Sequence, residues 1–265
     1  MSFLKRLTQK FNKVCARRLR SAEENFRPEA ASFDVLHQIE NGGFENVILF
    51  GGALRDDYLR STGCPVKTND YDISAELDPA VFEGKTTHAE AAAVFEQYLR
   101  EKFGPVEIES IGIIPSADGK FWGGAKFTDA QGRKIDLHVR DNRHVDDMGR
   151  DTFPPGLYER IRDPGAMIYG NAPINRIAMN SSGQLHYDAS FKEHARQRIY
   201  MPKKAIPAEW LAGDVRLERL QAKIPGLRYK EPPAGKIPVS IVSQWVPLPD
   251  RQKSRTAHAP RHQHS

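Results

Sequence analysis

Residues 47–56, Val47-Ile48-Leu49-Phe50-Gly51-Gly52-Ala53-Leu54-Arg55-Asp56, and residues 69–74, Asn69-Asp70-Tyr71-Asp72-Ile73-Ser74, decide how this chain is read. Val47–Phe50 are four apolar residues in a row and predict a buried strand; Gly51-Gly52 ends it, and helical spacing follows over Ala53–Arg60. Such a turn lets backbone approach an anion closely and aims free N–H groups and a helix N-terminus at it. A tight strand-to-helix turn without a ligand has the same appearance. Asp70 and Asp72 narrow the choice, because side chains at i and i+2 of a strand leave from one face. Two carboxylates side by side repel unless a cation lies between them, which implies either a hard divalent metal such as Mg²⁺ or a solvent-exposed edge. Tyr71 and Ile73 alternate inward, as a half-buried strand requires.

A third carboxylate stands in Lys134-Ile135-Asp136-Leu137-His138-Val139-Arg140, where period-2 alternation puts Asp136, His138 and Arg140 on one face and Ile135, Leu137 and Val139 on the other. A strand lining a cleft and an ordinary surface strand both fit this pattern. Around these stretches the sequence predicts a helix over about Glu29–Ile39, a long helix over His88–Phe103, and three strands over 106–114, 120–128 and 133–140. The last two strands meet at Asp129-Ala130-Gln131-Gly132, which has turn chemistry. Further on, Ile174–Asn180 and Gln184–Tyr187 read as a hairpin across Ser181-Ser182-Gly183, and residues 190–199 and about 208–224 as helices. Helices, then mixed strands, then helices make an α+β protein with a small mixed sheet.

No apolar run approaches the roughly 20 residues of a membrane span. Cys15 and Cys64 sit in unlike contexts that suggest neither a metal pair nor a disulfide, so a reducing, cytoplasmic setting is expected. The 39 Lys and Arg exceed the 34 Asp and Glu by five, yet residues 1–20 hold seven basic and no acidic side chains, and residues 251–265 hold four and none. The stretch between them carries 28 basic against 34 acidic residues, so a polyanionic partner would be gripped by the ends. In residues 3–19, Phe3, Leu4, Leu7, Phe11, Val14, Cys15 and Leu19 recur every three or four positions between basic residues, predicting an amphipathic helix. A core-capping helix, an RNA-contacting arm, a membrane-surface or partner helix and a transit peptide all fit it. From Pro225 onward there are seven prolines in 41 residues, which predicts an extended and then partly disordered tail.

The Gly-Gly-x-x-Arg-Asp of residues 51–56, the Asp-x-Asp of 70–72 and the later acidic strand resemble the head domain of the class II CCA-adding enzyme and bacterial poly(A) polymerase family, in the DNA polymerase β nucleotidyltransferase superfamily. Short stand-alone relatives of that domain are also similar. Ala172–Asn180, with Gly183 and Asp188 beyond, looks like the family's Asp-Phe-Thr-Ile-Asn strand and following hairpin; the match spans roughly residues 45–200. The resemblance implies a polymerase β-like fold and a metal-dependent transfer of a nucleoside monophosphate from an NTP, ATP among them, to an acceptor hydroxyl with pyrophosphate release. It assigns Asp70, Asp72 and Asp136 to catalysis and to two Mg²⁺ ions roughly 3.5–4 Å apart, and Gly51, Gly52, Arg55 and Asn175 to the nucleotide. Residues 1–28 then form a basic N-terminal helix, 29–200 the catalytic domain, 201–229 a short helical extension and 230–265 a Pro-rich tail.

The chain also departs from the family. Seventeen residues separate Gly52 from Asp70, with Gly63-Cys64-Pro65 marking an inserted loop, and Gly170-Asn171 stands where the family has Arg-Asp. The base-reading Glu-Asp-x-x-Arg helix is represented only by Asp214-Val215-Arg216-Leu217-Glu218-Arg219, and the family's tRNA-holding neck, body and tail have no counterpart in the Pro-rich residues that follow. The acceptor expected first is an RNA 3′ end bound through the basic termini, and second a protein or small-molecule hydroxyl. A catalytically degenerate module that binds RNA or protein, or a nuclease or phosphatase using similar carboxylates, is the alternative.

Overall fold

The structure is a computed structural model that describes residues 26–115, 121–141, 172–202, 213–233 and 240–249. The basic segment 1–25 and residues 250–265 lie outside the described residues, as does 203–212, the start of the helix predicted from about 208. A helix α1 (Ala30–Asn41) leads into strand β1 (Glu45–Phe50), helix α2 (Gly52–Ser61) and strand β2 (Tyr71–Leu77). Helix α3 (His88–Phe103) precedes a meander of β3 (Glu107–Pro115), β4 (Phe121–Thr128) and β5 (Lys134–Asp141). After a 3₁₀ turn at Pro173–Asn175 come β6 (Ile177–Asn180), β7 (Gln184–Asp188), α4 (Phe191–Gln197), β8 (Ile199–Tyr200), α5 (Val215–Lys223), β9 (Arg228–Tyr229) and β10 (Ile241–Trp245). Eight strands make one mixed sheet in the order β10-β7-β6-β1-β2-β5-β4-β3, in which β2 and β5 form the parallel pair and every other pairing is antiparallel. Strands β8 and β9 pair separately.

Local chemistry accounts for these elements. Thr87 caps α3, accepting from the Glu90 N–H while the Glu90 carboxylate accepts from the Thr87 N–H, so two donors that the helix leaves open are satisfied reciprocally. The β4–β5 turn is tied by Asp129, whose carboxylate accepts from the Gln131 and Arg133 N–H groups and pairs with the Arg133 guanidinium at 2.7 Å. Along the inserted loop after α2, Arg60 bonds the Val66 carbonyl and Thr68 hydroxyl while pairing with Glu29 and Asp57, which ties the loop to the start of α1.

The strands place their apolar sides together. Val47 and Leu49, Ile73 and Ala75, Ile135, Leu137 and Val139, and Ile177 and Met179 all enter one core. That core also takes Phe33 and Leu36 from α1, Phe95 and Leu99 from α3 and Leu217 and Leu220 from α5. The alternate positions, Asp72, Ser74, Asp136, His138 and Arg140 among them, therefore leave from the opposite face.

One expectation is corrected and one is made specific. Residues 173–175 form a 3₁₀ turn rather than the first part of a strand, because Ala172 and Pro173 accept the N–H groups of Asn175 and Arg176 locally. Within the Pro-rich end, Ile241–Trp245 pairs along β7 as an edge strand, with Val246 closing onto the Gly183 carbonyl.

Candidate nucleotide and metal cleft

The strand-to-helix turn is built as its composition requires. Gly51 has φ 73° and ψ −118°, a conformation that a side chain disfavours, and its N–H bonds the Ile177 carbonyl of β6 at 2.9 Å. The donors this turn leaves free are therefore those of the first turn of α2, beginning with Gly52, and not Gly51 itself. A Cβ on Gly51 or Gly52 would lie 3.7–3.8 Å from Oδ2 of Asp72, so the Asp72 carboxylate rests directly against the turn.

Strand pairing then sets a row of side chains across the sheet. Phe50 is opposite Asp72, Asp72 beside Asp136, and Asp136 opposite Lys126. The 64 positions between Asp72 and Asp136 thus vanish in the parallel register, and the two carboxylates share one face. Asp70 joins Asp72 in lining a cleft of about 210 Å³, together with Gly51, Gly52, Arg55 and Asn175. Burial, followed by the charges of Asp70 and Asp136, pushes the Asp72 carboxyl up to about 6, while His138 and Lys126 act the other way.

Asp136 is not free. The Lys126 ammonium bonds its Oδ2 at 2.5 Å, and His138 Nε2 stands 3.5 Å from its Oδ1. The Lys126 pKa is raised by that hydrogen bond and by the carboxylate's charge. Lys126 was not among the residues the sequence singled out, although hairpin register offered a signal: counting back from the Asp129–Gly132 turn pairs position 134 with 128 and 136 with 126.

The opposite wall is a buried charge network. Arg55, 3% exposed, donates to Asp56 Oδ1 through Nε (2.9 Å) and a terminal nitrogen (2.7 Å), and its other terminal nitrogen donates to Asn175 Oδ1 at 2.8 Å. Asp56 is fully buried and its second oxygen pairs with Lys223 of α5 at 2.7 Å. Arg55 and Asn175, 120 positions apart, are thus joined, and α5 is drawn onto the cleft, which Arg216, Arg219, Leu220 and Lys223 complete. Asp56 and Lys223 were missed by sequence reasoning because only tertiary packing pairs them.

Oxygen-only donors crowded along one edge suit a hard divalent cation, and the repulsion acting on Asp72 is what such an ion relieves. The fit is limited to Asp70 and Asp72 while Lys126 holds Asp136: among the described residues, no three His, Cys, Asp or Glu side chains gather closely enough to hold one metal ion. No helix among the described residues is long and apolar enough to cross a membrane.

No family model matches the chain, and no curated protein matches it. Among solved structures, the chain is similar to a Thermotoga maritima CCA-adding enzyme complexed with tRNA, with a TM-score of 0.39 and 14% identity over 76% of this chain and 38% of that one. It is also similar to the Bacillus stearothermophilus CCA-adding enzyme in complex with CTP, with a TM-score of 0.32 and 16% identity over 64% of this chain and 32% of that one. The match spans about a third of the length of those enzymes.

Proposed function

We propose that this chain is a metal-dependent nucleotidyltransferase that moves a nucleoside monophosphate from an NTP to an acceptor hydroxyl. The observation that carries this reading is the Asp72 carboxylate, set against the Gly51-Gly52 turn on one side and in register with Asp136 on the other. A triphosphate at the start of α2 would have its reacting phosphorus beside that carboxylate edge.

In the transfer, the acceptor oxygen forms a bond to the α-phosphorus, the bond from that phosphorus to the oxygen bridging the β-phosphate breaks, and pyrophosphate leaves. The hydroxyl proton passes to a carboxylate of the edge or to water. Asp70 and Asp72 would hold Mg²⁺, with Asp136 serving a second ion when Lys126 releases it. Bound there, the metal neutralises phosphate charge and lowers the cost of developing an alkoxide. Asp136 accepts a hydrogen bond from the acceptor hydroxyl and so orients it. On the donor side, the first turn of α2 offers N–H groups to the phosphates, and Arg55, fixed by Asp56 and Asn175, supplies positive charge without reorganising. The chemistry is positioning and charge neutralisation.

The acceptor proposed first is an RNA 3′ end, from the acid-free basic residues 1–20 and 251–265; a protein or small-molecule hydroxyl is second. One observation favours a non-catalytic binding module instead: Lys126 already neutralises Asp136. Incubating the full chain with each α-³²P-labelled NTP, Mg²⁺ and total RNA or lysate separates the two. Label transferred by the native protein and not by Asp72→Asn supports the enzyme; nucleotide binding without transfer to any acceptor supports the module.

A further inference from the structure

Strand β3 breaks its alternation beside the carboxylate edge. Ile108 and Ile111 both pack against the core, although a regular strand brings only every second residue to one face. The irregularity falls between Ile108, which is opposite Phe127 of β4, and Ser110, which is opposite Lys126. Glu109 is therefore the extra residue of a β-bulge: it and Ser110 both stand against Lys126, and both are exposed. In a regular strand, the register that seats Ser110 against Lys126 would turn Glu109 into the core. The bulge re-aims a carboxylate onto the face that carries Asp136.

Lys126 thus lies between two carboxylates, since β4 runs between β5 and β3. On the β5 side its ammonium bonds Asp136 Oδ2 at 2.5 Å. On the β3 side, Glu109 lines the same pocket of about 260 Å³ as Lys126 and Asp136, with Asn69, Asp70 and Lys134 also in its wall. Neighbouring strands are only about 4.8 Å apart, and the Lys126 side chain is 53% exposed, so rotation about its own bonds carries the ammonium from one carboxylate toward the other. Lys126 feels the charges of Asp136, Asp72 and Glu109. Asp136 and Asp72 are assigned to metal above, as is Asp70, which leaves Glu109 to the lysine. A divalent ion arriving at Asp136 repels the ammonium it displaces, and an ammonium with no counter-charge nearby would hold the ion off.

We propose that Glu109 is a positioning residue that receives Lys126 when Asp136 turns to a metal ion, so that the third carboxylate exchanges partners without stranding a cation at the site. This rests on the metal-dependent reading above.

The test is a double-mutant cycle on Mn²⁺ binding to the full chain, followed by electron paramagnetic resonance, with the native protein, Glu109→Gln, Lys126→Met and the two combined. Glu109→Gln alone should weaken Mn²⁺ binding by about three- to fivefold, the size of an exposed ion pair. In the Lys126→Met background the same change should alter the dissociation constant by less than about twofold, because no ammonium is left to receive. Glu109→Asp, which keeps the carboxylate, should recover most of the loss. Glu109 is exposed, so Glu109→Gln should keep the native unfolding midpoint in urea. Unchanged or tighter binding by Glu109→Gln overturns the proposal. An equal loss in both backgrounds also overturns it, since Glu109 would then act on the ion directly, and leaves the metal reading standing. If neither the native chain nor Lys126→Met binds Mn²⁺, the metal-dependent reading fails and the role of Glu109 with it.

Discussion

The walls on the two sides of the Asp70–Asp72 edge, that of the cleft and that of the neighbouring pocket lined by Lys126 and Asp136, neutralise charge in opposite ways. On the α2–α5 side, Arg55, Asp56 and Lys223 form a network in which Asp56 is fully buried and Arg55 nearly so. On the β4–β5 side, Asp136 meets Lys126, whose side chain is 53% exposed, and His138, at 57%. A buried carboxylate flanked by two cations cannot lose a partner cheaply, whereas an ion pair facing water can open and close at little cost. The first wall is therefore preorganised and suits an invariant ligand part such as a triphosphate. The second is adjustable, as an edge must be if Asp136 is to exchange Lys126 for a metal ion or an acceptor hydroxyl.

The largest test acts where the walls meet. Asp72→Asn should lower the proposed transfer by on the order of 10³-fold, because the carboxylate assigned to hold the metal is removed while the fold stays, as rates with labelled NTP will show. Next comes the contrast itself. Asp56→Ala leaves Arg55 and Lys223 without their carboxylate and should destabilise the protein by about 3–5 kcal/mol in urea unfolding; Lys126→Met, which breaks the exposed pair, should cost no more than about 1 kcal/mol. Equal losses would remove the distinction between the walls.

A pH experiment sharpens it further. The Asp72 carboxyl, near 6 in the fold against 3.8 as its ordinary value, favours its protonated form when folded. Its contribution to stability is thus fully present below pH 4 and is lost as pH rises through about 6, a change of up to about 3 kcal/mol at roughly 1.4 kcal/mol per unit. Without metal, Asp72→Asn should be the more stable protein at pH 7 and match the native chain near pH 4. Asp57, also raised to about 6 by burial, is common to both proteins and cancels from the difference. The smallest effect belongs to Lys126→Met in Mn²⁺ binding followed by electron paramagnetic resonance. Freeing Asp136 should tighten metal binding a few-fold, and an unchanged isotherm would mean that Lys126 does not compete with metal.

Periodicity carried much of this molecule. The helix His88–Phe103 could be read to the residue because its apolar side is regular and its end is Gly104. The alternation in 134–140 correctly separated Asp136 from Leu137 because a sheet with one face in the core enforces period 2. Placing Asp72 beside Asp136 required strand order, which no local pattern contains. Lys126, Asp56 and Lys223 were hidden for the same reason: their roles come from partners on other elements. Strand β10 escaped notice because an edge strand among prolines needs only one neighbour and shows only a weak alternation.

The parallel pairing of β2 with β5 also bears on how the chain folds. Strands β1 and β2, and the meander β3-β4-β5, each join elements near in sequence, but uniting the two groups closes a loop that contains α3 and two strands. Contacts of such long separation slow folding, since the entropy of closing the loop is lost before any contact repays it. Asp72 and Asp136 meet for the first time in that closure, so their mutual repulsion opposes the slow step. The β1–β6 pairing spans still more of the chain, so the cleft forms among the long-range closures of the sheet, and protons or divalent cations that quiet those carboxylates should hasten refolding.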